Sequence, residues 1–380
     1  MRTLARDIRY MTRALQLAAR GRGRTSPNPM VGAVVVSEGR IVGEGFHRKA
    51  GAPHAEVIAL QAAGSRAKGG TLYITLEPCN HTRKRTPPCV PAILASGVRR
   101  VVVAMRDPNP RVNGGGLRQL KQAGLDVSVG CLGQHAEWLN ADYLHRMKMG
   151  RPLVILKMAM TLDGKTATAA GESRWITGPE ARRHTHLLRS QVDAIMVGVN
   201  TVLADDPQLT VRLGRPIARQ PLRIIMDSRL RTPLTARVLS PRLRKGTLLA
   251  ATHHALKARL TRFRRQGISV LTLPSERGRV SLRACLRQLA GMGINQLLIE
   301  GGSELAASAL QAGVVDRLRL YIAPLLLGGN DAKGIIGGSC PSRLARALSV
   351  SHLSIKKVGP DLMLDAVLAS PRIFHSYQRA

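Results

Sequence analysis

The chain has 380 residues, 58 Lys and Arg against 23 Asp and Glu, a formal charge of +35, 44% hydrophobic residues and only 3% aromatic ones. The length fits two domains, the apolar fraction excludes wholesale disorder, and no run approaches the roughly 18 uninterrupted apolar residues of a membrane span. Cys79, Cys89, Cys131, Cys285 and Cys340 are too few and too scattered for a disulfide framework, so a reducing, cytoplasmic setting is expected. The charge favours phosphate-bearing partners without naming one. It is Arg-dominated and spread through both halves rather than gathered in one dense tail, which reads mostly as solvated surface.

Taken in chain order, Ile8, Met11, Leu15 and Ala18 recur at helical spacing in an Arg-rich opening, and Ser26-Pro27-Asn28-Pro29 ends that helix. An Arg-rich transit peptide has a similar look, but Asp7 and the strand-like run that follows suit a first domain helix at least as well. Residues 31–36 and 41–46 read as a hairpin. A helix over 55–63, a strand over 71–76, a helix around 90–96, a strand at 101–105, a helix after Gly114 to Gly116 and a strand at 127–129 complete an α/β unit. Gly150-Arg151-Pro152 follows a polar helix and opens a fresh apolar run at 153–160, so the spacing predicts domains 1–150 and 151–380. The second domain continues with a helix after Gly178-Pro179 and strands near 194–197, 222–226, 248–251 and 270–273. A helix at 282–290, a strand at 296–299, a helix from Gly301-Gly302 to Leu310, a strand at 317–322 and a hairpin near 355–367 follow.

The first half carries His54-Ala55-Glu56, then Pro78-Cys79, then Pro87-Pro88-Cys89. Zinc takes nitrogen and sulfur donors, and a catalytic zinc keeps three protein ligands with one position open to water. His54, Cys79 and Cys89 supply such a set. Glu56, two residues after His54, is suited to shuttling the proton as water attacks. Helix starts at His54 and Cys79 would favour the thiolate through the helix dipole. The pattern approaches the H-x-E and P-C-x-x-C signature of zinc deaminases, with Thr82 in the last cysteine position and Cys89 further on. The other three cysteines read as packing residues or chance occurrences. In the second half, Ile299-Glu300-Gly301-Gly302-Ser303 puts glycines between a strand and a helix, where backbone N–H groups can approach a pyrophosphate, without forming a G-x-G-x-x-G fingerprint.

Asn28-Pro29-Met30-Val31-Gly32, His54-Ala55-Glu56, Thr75-Leu76-Glu77-Pro78-Cys79-Asn80-His81 and Arg85-Thr86-Pro87-Pro88-Cys89 resemble the deaminase motifs of the bifunctional deaminase/reductase of riboflavin biosynthesis. Residues 156–165, 172–177, 202–212 and 299–305 resemble its reductase motifs, and the likeness runs over roughly residues 7–365. It implies an α/β protein with an N-terminal cytidine-deaminase-like three-layer domain and a C-terminal dihydrofolate-reductase-like domain. It also implies one Zn2+ per chain, hydrolytic deamination of a diamino-pyrimidinone bearing a phosphoribosylamino group, and NADPH-dependent reduction of the ribosyl to a ribityl group.

Carried over residue by residue, the resemblance puts Asn28 at the pyrimidine and His81 and Arg85 near the substrate in the ligand loop, with Lys157, Ser173, Arg189, Leu209, Arg212 and Glu300 at the ribose-phosphate substrate. Asp163 would line the same site. Ala159, Trp175, Thr201, Asp205 and the run Gly302, Ser303, Glu304, Leu305, Ala306, Ala307 and Ser308 fall at the cofactor. Arg189 and Arg212 suit phosphate, since a guanidinium pairs with it bidentately. The loop from Asn80 to Arg85 departs from the family, which usually has a Gly before the basic residue and one residue fewer between the cysteines. The competing readings are a reductase with an inactive deaminase domain, a nucleic-acid base deaminase and a non-enzymatic scaffold. Few aromatic residues to stack bases, and a second half that a base deaminase does not need, argue against nucleic acid. The expected partners are phosphorylated pyrimidine small molecules and no membrane, with homo-oligomerisation left open.

Overall fold

A computed structural model describes residues 2–82, 86–214, 216–217 and 219–368, and the chain divides into two compact units at residues 150 and 151. Arg85 lies outside the described residues. No described helix is long and apolar enough to cross a membrane.

The first unit runs α1 (Arg2–Ala19), β1 (Gly32–Ser37), β2 (Arg40–Phe46), α2 (Ala55–Ala63), β3 (Thr71–Ile74), α3 (Cys89–Ala95), β4 (Arg100–Val103), α4 (Gly115–Gln122), β5 (Asp126–Val129), α5 (Gly133–Leu139) and α6 (Ala141–Met149). Its sheet has the order β2-β1-β3-β4-β5, antiparallel as far as β3 and parallel beyond. Side chains alternate across a strand, and here both faces are apolar. Val35, Leu72, Ile74, Val101 and Val103 meet Ala59, Leu60, Ile93 and Leu120 of α2, α3 and α4. The intervening Val34, Val36, Tyr73 and Val102 meet Met11, Ala14 and Leu17 of α1 and Ala136, Tyr143 and Leu144 of α5 and α6. Three layers result.

Helix α1 is a domain helix, but its buried stripe is rotated from the expected one: Tyr10, Met11, Ala14, Leu17 and Ala18 are buried, while Ile8 is exposed. Asp7 causes the rotation, because it is buried on the sheet side. Arg100 pairs with it bidentately at 2.7 and 2.8 Å and the Tyr73 hydroxyl donates at 2.8 Å. A charge belongs in a core only with such partners.

The second unit runs β6 (Leu153–Thr161), β7 (Lys165–Ala167), α7 (Pro179–Gln191), β8 (Ala194–Gly198), α8 (Val199–Asp205), β9 (Leu222–Met226), β10 (Thr247–Thr252), α9 (Lys257–Arg265), β11 (Ser269–Leu273), β12 (Ser275–Glu276), β13 (Arg279–Val280), α10 (Leu282–Gly291), β14 (Gln296–Glu300), α11 (Ser303–Gln311), β15 (Arg317–Ala323), β16 (Lys333–Gly334), β17 (Val350–Val358) and β18 (Asp361–Leu368). Its main sheet has nine strands in the order β11-β10-β9-β8-β14-β6-β15-β18-β17. The strands from β11 to β15 are parallel, and the β17–β18 hairpin adds an antiparallel edge.

From β8 the chain passes through α8 to β9 on one side, and from β14 through α11 to β15 on the other. The loops leaving the carboxyl ends of these neighbouring strands therefore part, which makes a crevice where α/β sheets bind ligands. Two helices escaped the sequence reading. α8 has only seven residues, and α9 is so rich in Lys and Arg that only Phe263 is buried.

Candidate active sites

In the first unit His54 caps the start of α2 with extended backbone, and Glu56 sits in its first turn, 3% exposed. Cys79 lies in the loop after β3, whereas Cys89 is the first residue of α3, so the helix start belongs to Cys89 rather than to Cys79 as expected. The Cys89 and Val90 amides both donate to the Cys79 carbonyl, at 3.0 and 3.3 Å, which pins the helix start to the first cysteine. The extra loop residue between them therefore leaves the donor set together. The two sulfurs are 3.5 Å apart, and His54 Nδ1 lies 3.5 Å from Cys79 Sγ and 3.2 Å from Cys89 Sγ.

A tetrahedral zinc with bonds of about 2.3 Å to sulfur and about 2.0 Å to nitrogen separates its donors by about 3.5 to 3.8 Å. The donor triangle, all within 4.8 Å, fits that ion. The other ring nitrogen, His54 Nε2, pairs with Thr86 Oγ1 at 3.1 Å, and in a zinc-bound His54 that contact has Nε2 donating and leaves Nδ1 to the metal. Glu56 Oε2 is buried with no hydrogen-bond partner, and burial, opposed by His54, holds its carboxyl above the usual range. A buried, unsatisfied carboxylate oxygen beside a ligand set fits a group that exchanges a proton there.

The surroundings are built from residues far apart in sequence. Asn28 Nδ2 donates to His47 Nε2 at 3.0 Å, and His47 Nδ1 donates to the Pro53 carbonyl at 3.2 Å, just before His54. Asn140, between α5 and α6, holds both backbone groups of Met30 at 2.7 and 2.9 Å and so fixes the segment carrying Asn28. Glu77 accepts N–H groups from Asp107, Gly114, Gly116 and Leu117 at 3.1 to 3.4 Å, tying the start of α4 beneath the cysteine loop. The glycines there are steric: a Cβ on Gly116 would lie 2.0 Å from the Pro78 carbonyl oxygen. His81 is half-buried in the loop after Cys79. Sequence reasoning missed His47 and Asn140, and gave Glu77 no role, since nothing local marks a long-range acceptor.

In the second unit a polar row crosses the sheet in register: Glu300 on β14, Lys157 on β6, Arg319 on β15 and Asp365 on β18. Arg189 of α7 grips Glu300 bidentately at 2.7 and 2.6 Å and gives its third nitrogen to the Thr210 carbonyl at 3.0 Å. All three guanidinium nitrogens of Arg189 are thus engaged within the protein. That removes the argument that its bidentate edge receives phosphate. Arg212 is exposed, with Nη1 on Thr210 Oγ1 at 3.1 Å. Burial opposes the charge on Glu300, but Arg189 and Lys157 outweigh it and hold its carboxyl below the usual range. Burial pushes Lys157 down, against the pull of Glu300. His186 is pushed down to about 4 by burial and by Arg189 and Arg212.

The parting loops of β8 and β14 bring Thr201 against Gly301 and Gly302, both at positive φ. A Cβ on Gly302 would stand 3.2 Å from Thr201 Oγ1. Gly302 caps α11, so the first amides of that helix open onto the crevice. The rest of the expected cofactor run does not offer side chains: Leu305, Ala306 and Ala307 are buried, the first two in the main core. Glu304 is exposed and paired with Arg279 at 3.1 Å, and Ser303 and Ser308 are half-buried.

Trp175 is exposed beneath the Arg182 guanidinium, and Arg174 contacts Asp205. Ser173 is half-buried in the same loop, and Ala159 lies two residues after Lys157 on β6. Leu209 is buried with φ of +52°, a conformation costly for leucine and commonest near ligand sites. Asp163 accepts from the Thr161 hydroxyl and from the Gly328 and Leu327 amides, which together hold it at about 2. Cys285 packs in the core, Cys131 is half-buried and Cys340 is exposed.

Comparison with known proteins identifies both domains. Residues 4–105 match the cytidine and deoxycytidylate deaminase zinc-binding region, and residues 152–364 match the RibD C-terminal domain. The riboflavin biosynthesis protein RibD of Escherichia coli K12 is 47% identical over 373 residues, covering 95% of this chain and 99% of that protein. The RibD of Aquifex aeolicus is 44% identical over 358 residues, covering 94% and 97%. The solved structure of Acinetobacter baumannii RibD superposes with a TM-score of 0.88 at 39% identity, over 97% of this chain and all of that one. A deaminase/reductase from Thermotoga maritima gives 0.82 at 32% identity, with the same coverage. With cytidine-deaminase-like and dihydrofolate-reductase-like domains in the family's order and relatives matched over nearly their whole length, the chain belongs to the RibD family of bifunctional riboflavin-biosynthesis enzymes, which join a zinc-dependent deaminase to an NADPH-dependent reductase.

Proposed function

We propose that unit 1–150 deaminates the phosphoribosylamino-diaminopyrimidinone and that unit 151–380 then reduces its ribosyl group. The observation that carries the reading is the convergence of His54 Nδ1, Cys79 Sγ and Cys89 Sγ beside the buried, unpartnered Glu56 Oε2. That donor set would hold one zinc ion, which when bound would supply an acidified water as the nucleophile. Glu56 takes the proton from that water and returns it to the departing amine. Asn28, fixed by His47, donates to the pyrimidine, with His81 and Arg85 on the same substrate.

In the reductase, bound NADPH would supply the hydride for the sugar C1′, and the protein positions the partners. Lys157, with its ammonium proton made more acidic by burial, gives that proton to the ring oxygen as the sugar opens. Glu300 orients Lys157 and a sugar hydroxyl, Arg189 keeps Glu300 ionised, and Arg212 takes the phosphate. Ser173, Leu209 and Asp163 close the substrate side. Ala159, Trp175, Thr201, Asp205 and the 302–308 segment hold NADPH, largely through the first amides of α11.

The intact donor set speaks against an inactive deaminase domain, and the full-length match speaks against a nucleic-acid deaminase or a scaffold. We assign the protein to the cytoplasm, with phosphorylated pyrimidines rather than nucleic acid as partners, and we include a homo-oligomer in that reading. Ammonia release and NADPH oxidation, followed separately, test it. Glu56→Gln abolishes the first while leaving the second intact on the deaminated intermediate. Retention of ammonia release in that variant overturns the deaminase assignment.

A further inference from the structure

Lys157 has a second neighbour besides Glu300. Its ammonium lies 5.3 Å from the centroid of the Tyr321 ring, within the range of a cation–π contact. Tyr321 is fully buried on β15, in register with Ala159 and therefore on the Lys157 face of the sheet. Its hydroxyl meets His184 Nδ1 of α7 at 2.6 Å, and the two rings are edge-to-face at 5.9 Å. One helix thus fixes both neighbours of Lys157: Arg189 clamps Glu300 and, five residues earlier, His184 clamps Tyr321. The half-buried Lys157 side chain has several rotamers, and an electron-rich surface on each side selects one of them.

We propose that Tyr321, anchored by His184, is a positioning residue for the reductase step that holds Lys157 in its reactive rotamer through the face of its ring. This rests on the reading of Lys157 as proton donor. The phenol hydroxyl serves only as the anchor, so the ring matters more than the oxygen.

The test uses the full-length enzyme and the deaminated intermediate. Tyr321→Leu lowers the reductase kcat about tenfold, the rate equivalent of a partly desolvated cation–π contact, with the KM for NADPH and the ammonia-releasing activity unchanged. Tyr321→Phe, which keeps the ring, recovers all but about threefold, and His184→Ala shows a similar small loss. A Tyr321→Leu enzyme with native kcat overturns the proposal. So does a Tyr321→Phe enzyme as slow as the Leu variant, or a kcat loss matched by loss of NADPH binding, which marks a structural role. Lys157→Met separates the two layers: undiminished reduction there refutes the proton-donor reading itself, whatever the Tyr321 variants do.

Discussion

Replacing Arg189 with Met removes the partner of a buried carboxylate while roughly keeping the side-chain volume. Arg189 and Glu300 are 13% and 9% exposed, with N–O contacts of 2.7 and 2.6 Å, and the Thr210 carbonyl also loses its donor. Breaking one side of a buried pair costs about 3–5 kcal/mol. At about 2–4 °C per kcal/mol for a unit of this size, the reductase unit should melt roughly 10 °C lower. The pH dependence carries the sharper test. In the native protein the Glu300 carboxyl lies below its unfolded value of 4.5, so its contribution is present above that pH and is lost only in acid.

Without Arg189, burial dominates and the folded pKa rises above the unfolded one. The carboxyl then favours folding in acid, and that contribution disappears as pH rises through the new folded value. Calorimetry between pH 5 and 8 should show the variant's reductase transition falling with pH relative to the native one, while the transition of the deaminase unit stays fixed. A variant that unfolds with the native temperature and pH profile would refute the reasoning.

Thr86→Val deprives His54 Nε2 of its acceptor and should lower zinc affinity about 10- to 100-fold, measured by competition with a chromophoric chelator. Stripping the metal with a chelator should lower the melting temperature of the first unit alone and leave NADPH oxidation on the deaminated intermediate unchanged, as stopped assays of both activities would report. Gly302→Ala forces a Cβ toward Thr201 at φ of +81°, costing about 1–2 kcal/mol, and should weaken NADPH binding about tenfold by fluorescence titration with ammonia release intact. Glu77→Ala leaves four amides without their acceptor and should destabilise the first unit by about 3 kcal/mol in urea unfolding, with partial loss of bound zinc.

The amino-acid sequence by itself carries whatever depends on neighbours along the chain. The donor types of His54, Cys79 and Cys89, the Glu56 beside them, and the alternation of short apolar runs with helical spacing are local patterns, and they suffice for two α/β domains and a zinc-dependent chemistry. The glycine pair at 301 and 302 is legible for the same reason, because only glycine accepts that turn. Tertiary structure decides what depends on partners brought from afar. Asp7 turns the buried face of α1 only because Arg100 waits for it, and Leu305 to Ala307 face the core although they sit in a cofactor-binding segment. Arg189, which reads in isolation as a free phosphate ligand, is spent on a carboxylate 111 residues away. Lys157 acquires its two neighbours from separate strands and one shared helix. A side chain's charge is written in the sequence, but its free energy depends on what surrounds it, and only the packed sheet and helices supply those surroundings.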